Sequence, residues 1–229
     1  MEDNLKLAFV TPTRGDRNEF LALCKRYVNR QSLFVDSNIS YQHFIIDYEP
    51  TSDEVDLNDR YQKGLEQALE FDADLIFFIE DDDWYHPNYV KSLIDLWLSK
   101  DQPSLFGFNT TIYYHITKRK VWYLDHPNHA SMFNTVIDKE LAEEIVKNRL
   151  FTRTPNIYLD IFLWKREVNK LSFETPKKLC LGIKHGKGIV AGMGHKGEFW
   201  KYEEDRELEI LHSIMDDEVN NYDFLIRAD

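Results

Sequence analysis

LIFFIEDDDWYHP, residues 75–87, sets the most apolar run of the chain directly against four consecutive carboxylates, Glu80, Asp81, Asp82 and Asp83. The five apolar residues 75–79 show no polar alternation, which is the pattern of a strand covered on both faces in a parallel sheet. Adjacent like charges repel, and a carboxylate is costly to desolvate without a partner. A strand that ends in such a row points either to a cation or to a helix N-terminus, where negative charge is also favourable. His86-Pro87 supplies the helix: Pro87 suits a first turn, and Val90, Leu93, Ile94, Trp97 and Leu98 recur at helical spacing.

Upstream, LKLAFV (5–10) reads as a buried strand and TPTRGDR (11–17) as a loop. Phe20, Cys24, Tyr27, Val28 and Gln31 then share one helical face, with Asp16 and Glu19 spaced as a capping box. YQHFIID (41–47) is a second strand, followed by Leu57, Tyr61, Leu65, Ala68 and Leu69 on a second helix. This alternation predicts an α/β fold with a mostly parallel sheet flanked by helices. Ligands of such sheets sit at the carboxyl ends of the strands. There TPTRGDR, DYEPTSDE (47–54) and EDDDWYHP (80–87) converge.

The second half is less regular. Residues 110–124, TTIYYHITKRKVWYL, predict a hairpin with Lys118, Arg119 and Lys120 at its turn. Helices are expected over 138–148 and about 158–168, and a strand over 179–186. Residues 186–197 are glycine-rich, and 203–218 read as an acidic helix with Leu208, Leu211 and Met215 on one side.

The 229 residues suit a single domain, with about 1–109 and about 110–229 as its two halves. A net charge of −12 argues against a general affinity for nucleic acid. Cys24 and Cys180 are far apart and read as reduced, buried thiols. The acidic N-terminus lacks the pattern of a signal peptide and no run reaches membrane-span length, so a cytoplasmic protein is expected.

Hard divalent cations take oxygen ligands, commonly one or two carboxylates together with substrate phosphates. FIEDDDWYHPNYV (78–90) resembles the DxD segment of family 2 glycosyltransferases with the GT-A fold. Glu80, Asp81 and Asp82 fall in the D-x-D slots, Asp83 is the acidic residue after them, and Trp84 and Pro87 follow in place. Thr11, Pro12, Thr13 and Arg14 match the first-strand loop that contacts the donor nucleotide, and Asp47 the aspartate that reads base or ribose. Gln62 and Gly64 match an N-x-G helix segment. The chain departs from the pattern at Glu80 and Gln62, and in a loop after Asp47 that is one residue longer.

The resemblance covers about residues 5–100 and implies a GT-A fold with a smaller acceptor-side region. It implies an inverting transfer of a sugar from a nucleotide-diphosphate sugar, a UDP-sugar first of all, to an acceptor hydroxyl. Mn²⁺ or Mg²⁺ would be held by Asp82, with Glu80 or Asp81 on the ribose or on a metal-bound water. His185 or His195 would supply a further ligand, and Lys184, with Lys187 and Lys196, would meet phosphate oxygens. Asp160 would be the base that takes the acceptor proton, although Leu159 stands where the family has Glu; as a residue, Asp160 also reads as a helix cap. Trp122, Tyr123 and Trp164 are candidate acceptor platforms. A saccharide, a lipid-linked sugar, a protein and a hydroxymethylated DNA base stay open as acceptors. Two other functions stay open as well: a nucleotidyltransferase acting on a sugar phosphate, and an inactive nucleotide-sugar or carbohydrate-binding module.

Overall fold

The computed structural model describes residues 4–35, 38–49, 56–154, 158–174, 178–186 and 200–226. Its larger sheet is built on β1 (Leu5–Pro12), flanked by β2 (Ile39–Ile46) and β3 (Leu75–Phe78). Both flanking strands run parallel to β1, with Val10 level with Phe78 and Pro12 with Ile46. Beyond β3 come β8 (Thr135–Asp138), β5 (Leu105–Phe108) and β9 (Lys170–Phe173). Only β8 runs against the others. The mixed α/β architecture and its mostly parallel main sheet therefore agree with the sequence pattern.

Alternation along the strands divides the core. Leu7 and Phe9 of β1, with Leu75 and Phe77 of β3, pack with α1 (Asn18–Asn29) and α3 (Tyr89–Leu98). Ala8, Val10, Ile76 and Phe78 pack on the opposite face with α2 (Leu57–Glu70), α4 (Lys139–Asn148), α5 (Leu150–Arg153) and α6 (Leu159–Trp164). Gly64 is what lets α2 lie so close: a Cβ there would sit 2.2 Å from Val10 Cγ1.

A second, mixed sheet is formed by β4 (Trp84–Tyr85), β6 (Thr110–His115), β7 (Lys120–Asp125), β10 (Cys180–Lys184) and β11 (Glu203–Glu204). Ile112, Tyr114, Val121, Leu181 and Ile183 turn one of its faces into the core shared with α1 and α3. The chain ends in α7 (Glu209–Met215), a 3-10 stretch Asp216–Tyr222 and α8 (Asp223–Ile226).

Several expectations are corrected. No side chain caps α1: Arg17 is its N-cap residue, so the Asp16–Glu19 capping box does not form. Pro87 precedes α3 by two residues, because the backbone first pairs as β4, and Leu98 is 57% exposed. Helix α6 stops at Trp164, where Lys170 Nζ donates to the carbonyls of Trp164 and Arg166 and satisfies the helix end. The expected helix 203–218 is first a strand on β7 and becomes helical only at Glu209. Asp205 delays it by accepting the Ile210 and Leu211 amides and the Tyr114 hydroxyl.

Candidate active site

β1 and β2 end level, Pro12 opposite Ile46, and Arg60 ties the loops that follow them together. Its buried guanidinium donates to the carbonyls of Thr13 (2.7 Å), Ile46 (3.1 Å) and Tyr48 (2.7 Å) and pairs with Asp56. The Tyr48 ring lies 4.1 Å over it. Sequence reasoning missed Arg60; its i,i+4 spacing from Asp56 was the only local signal.

The acidic row sits on this rim and is buried: Asp81, Asp82 and Asp83 are 2%, 5% and 0% exposed, and Glu80 is half-buried. The β4–β10 pairing brings Lys184 and His185 beside it, since Leu181 lies opposite Trp84 and Cys180 opposite Tyr85. Asp82 Oδ2 accepts from Arg17 Nη2 at 2.5 Å and lies 3.0 Å from His185 Nε2. Asp81 takes Arg17 Nη1 at 2.9 Å and the Thr13 hydroxyl at 2.6 Å. Asp83 Oδ1 accepts the Ile183 amide at 2.8 Å, while its Oδ2 is buried without a hydrogen-bond partner. Lys184 is buried with its Nζ 5.1 Å over the Tyr113 ring.

Electrostatics follow from this packing. Burial pushes Glu80 and Asp81 up to about 7, against the pull of Lys184 on the first and Arg17 on the second. Burial likewise raises Asp83 well above the carboxylate range, although Lys184 opposes it. Asp82 goes the other way: burial is outweighed by Arg17, the His185 hydrogen bond and Lys184, which hold it far below its ordinary value. Lys184 is held charged despite its burial by Asp83, Glu80 and Asp82. Two cations, Arg17 and Lys184, thus face the row, and burial favours protons on Glu80, Asp81 and Asp83 while Asp82 stays ionised.

The donor set fits a hard divalent ion. Glu80, Asp82 and Asp83 each offer an oxygen, all within 4.8 Å of one another. Opposite ligands of an ion with bonds of about 2.1 Å stand about 4.2 Å apart, so small side-chain rotations close the set. Asp83, whose Oδ2 is buried without a hydrogen-bond partner, belongs to that group.

Asp160 is the second residue of α6, so it is not the cap; Tyr158 holds that place. Burial raises its carboxyl, opposed by the Ile161 amide and His129. Its charge is felt at Glu80 and Tyr113.

The other expected residues scatter. Pro12 ends β1, Thr13 bonds Asp81, and Arg14 lies 3.8 Å from Asp16. Asp47 is exposed just past β2. The Thr11 hydroxyl is buried 2.8 Å from His43 and 3.7 Å from Cys24. Gln62 is buried, its amide nitrogen directed to Glu66 and to Val146 of α4. Trp164 is a core residue bonded to Thr135, which removes it as an acceptor platform. Two residues of the basic turn hold the tail: Lys120 pairs with Glu204, and Arg119 donates to Arg206 O. His195, Lys187 and Lys196 lie outside the described residues.

No protein-family model matches the chain, and no curated protein sequence matches it. Solved structures do. A glycosyltransferase involved in the glycosylation of the major capsid of PBCV-1 is 12% identical, with 82% of this chain and 98% of that one covered at a TM-score of 0.51. S. aureus TarS 1–349 in complex with UDP-GlcNAc is 10% identical, with 83% of this chain covered at a TM-score of 0.51. The match spans 62% of that TarS chain. A197 from STIV is 16% identical over 74% of this chain and 82% of its own, at a TM-score of 0.42. The first two show that the chain shares its fold with that glycosyltransferase structure and with TarS 1–349. Among the described residues no helix is long and apolar enough to cross a membrane.

Proposed function

We propose that the chain is a metal-dependent, inverting glycosyltransferase of the family 2 type with the GT-A fold, using a nucleotide-diphosphate sugar and first of all a UDP-sugar. One observation carries this reading: just past the end of β3, Glu80, Asp82 and Asp83 lie within ligand range of one another, and Asp83 keeps a buried oxygen without a hydrogen-bond partner. A bound Mn²⁺ or Mg²⁺ would hold these carboxylates ionised in place of the protons that burial favours, and would neutralise a leaving diphosphate. Glu80, Asp82 and Asp83 would hold the ion, with His185 the neighbouring nitrogen ligand. Arg17 and Lys184 are the cations in place to meet phosphate oxygens. Asp160 accepts the proton of the acceptor hydroxyl, and its raised pKa suits a base that must gain and release a proton.

Melting the protein with UDP, GDP or CMP, with and without Mn²⁺, tests the reading. A nucleoside diphosphate at about 100 times its Kd adds about 2.7 kcal/mol of stability. Protection by UDP or GDP that requires the metal is expected, together with slow hydrolysis of one member of a nucleotide-sugar panel. Protection by nucleoside triphosphates alone would instead indicate nucleotidyl transfer, and nucleotide binding without any turnover would indicate a binding module.

A further inference from the structure

A second cluster stands near Asp160 and has no part in holding the sugar nucleotide. The segment between β7 and β8 carries His126 and His129, whose ring centroids are 3.9 Å apart at 48°. The segment is firmly anchored. The His126 amide donates to Asn109 O at 2.9 Å. Ser131 Oγ lies 2.8 Å from Thr111 Oγ1, 3.1 Å from the Tyr113 hydroxyl and 3.5 Å from His126 Nε2. Gly107 leaves room for the approach, since a Cβ there would lie 2.1 Å from Asn134 O and 2.9 Å from Ala130 Cβ. Helix α6 is tied to the same segment: Trp164 Nε1 donates to Thr135 Oγ1 at 3.1 Å, and Thr135 Oγ1 to Ser131 O at 2.9 Å. Asp160 therefore shares one frame with the histidines, and its charge and that of His129 act on each other.

We propose that His126 and His129, oriented through Ser131, form the acceptor subsite and take an uncharged saccharide, one of whose hydroxyls they present to Asp160. This deepens the transfer reading above and rests on it. A neutral imidazole offers one donor and one acceptor, as a hydroxyl does, so the pair matches neighbouring hydroxyls of a sugar. Both rings are held neutral near pH 7: burial, then the neighbouring His129, pushes His126 down to about 4, and burial lowers His129. None of His126, His129, Ser131, Thr111 and Tyr113 carries a fixed positive charge; Lys184, 5.1 Å over the Tyr113 ring, is matched by Asp83, Glu80 and Asp82, and the charges of Glu80 and Asp160 are felt at Tyr113 as well. An uncharged saccharide suits that balance better than a phosphate. In the step itself the acceptor oxygen forms a bond to the anomeric carbon as the bond from that carbon to the diphosphate oxygen breaks. The bonding pair leaves with the nucleoside diphosphate, and the hydroxyl proton passes to Asp160.

Histidine side-chain NMR of the full chain with UDP and diamagnetic Mg²⁺ tests this, with the two signals assigned through His126→Gln and His129→Gln. The probes are the methyl glycosides of glucose, galactose and N-acetylglucosamine, and glucose 6-phosphate at equal concentration. The expected result is a saturable shift of both imidazole signals with at least one methyl glycoside and none with the phosphate. Silence of both rings to every glycoside, or a response to the phosphate alone, would overturn the subsite. UDP binding is read in the same samples by melting. If UDP binds while the histidines stay silent, the subsite falls alone; if UDP does not bind, the transfer reading falls, and a glycoside response still supports a saccharide site.

Discussion

Asp83 has one oxygen on the Ile183 amide and the other buried without a partner, while Asp82, next to it, holds Arg17 and His185. Neighbours in sequence thus have opposite electrostatics, set by partners about a hundred residues away. That is why the row was legible from the sequence and its division of labour was not: four consecutive carboxylates are a local fact, whereas Arg17, Lys184 and Arg60 act through the fold. Asp160 stands out in the sequence by its position before an apolar helical stretch, whereas nothing local marks His126 and His129. For Asp160→Asn, turnover should fall by about 10²–10⁴ while metal-dependent UDP protection persists; turnover at the wild-type rate would remove Asp160 as the base. His43 makes a separate prediction. Burial, then Lys25, lowers it to about 4 from an ordinary 6.5. The unfolded chain gains this proton near the higher value and the folded chain only near the lower, so the contribution is complete above both and is lost as pH falls between them. Glutamine at 43 does not titrate, so His43→Gln should lose Tm less steeply than wild type across that interval; parallel melting curves would contradict it.

Long, strongly periodic elements were legible, and most short ones were not. β1, α1, β2 and α2 follow their apolar spacing, as do the β6–β7 hairpin and α4, while β3, only four residues long, stands out as the unbroken apolar run 75–79. β5, β8 and β9 span four residues each, too few for periodicity to separate a strand from a loop. β4 is two residues long and is defined only by its pairing with β10, yet that pairing carries Lys184 and His185 to the acidic row. The C-terminal elements brace the row from behind. Glu218 takes the Trp84 indole N–H at 2.5 Å and Arg30 Nη2 at 2.7 Å, and the Tyr222 hydroxyl reaches Asp82 O at 3.4 Å. Phe224 meets Phe20 edge-on, and Phe20 lies 4.4 Å from the His185 ring. At the α2–β1 contact, Gly64→Ala gains about 1 kcal/mol of helix propensity but overpacks against Val10 at about 1–3 kcal/mol. A net loss of about 0–2 kcal/mol in denaturant unfolding is expected, partly restored in a Gly64→Ala/Val10→Ala double variant. A stabilised Gly64→Ala protein would show that the contact is looser than 2.2 Å implies.

For the molecule as a whole, a net charge of −12 coexists with a rim where two cations, the half-buried Arg17 and the buried Lys184, face four carboxylates. The parallel strands place the loops that would hold a sugar nucleotide, and the second sheet with α6 places the side that would receive its sugar. The first half follows from strand–helix alternation, a local pattern. The second depends on pairings such as β10 with β6 across about seventy residues, which no local window contains. The most direct test of the whole is a crystal grown with Mn²⁺ and UDP, with the metal located by its anomalous signal. The expected result is one peak among Glu80, Asp82 and Asp83, with the diphosphate bound to it on the side of Asp160. A metal and nucleotide both absent from that rim, or bound elsewhere while the four carboxylates keep only Arg17 and Lys184, would contradict it.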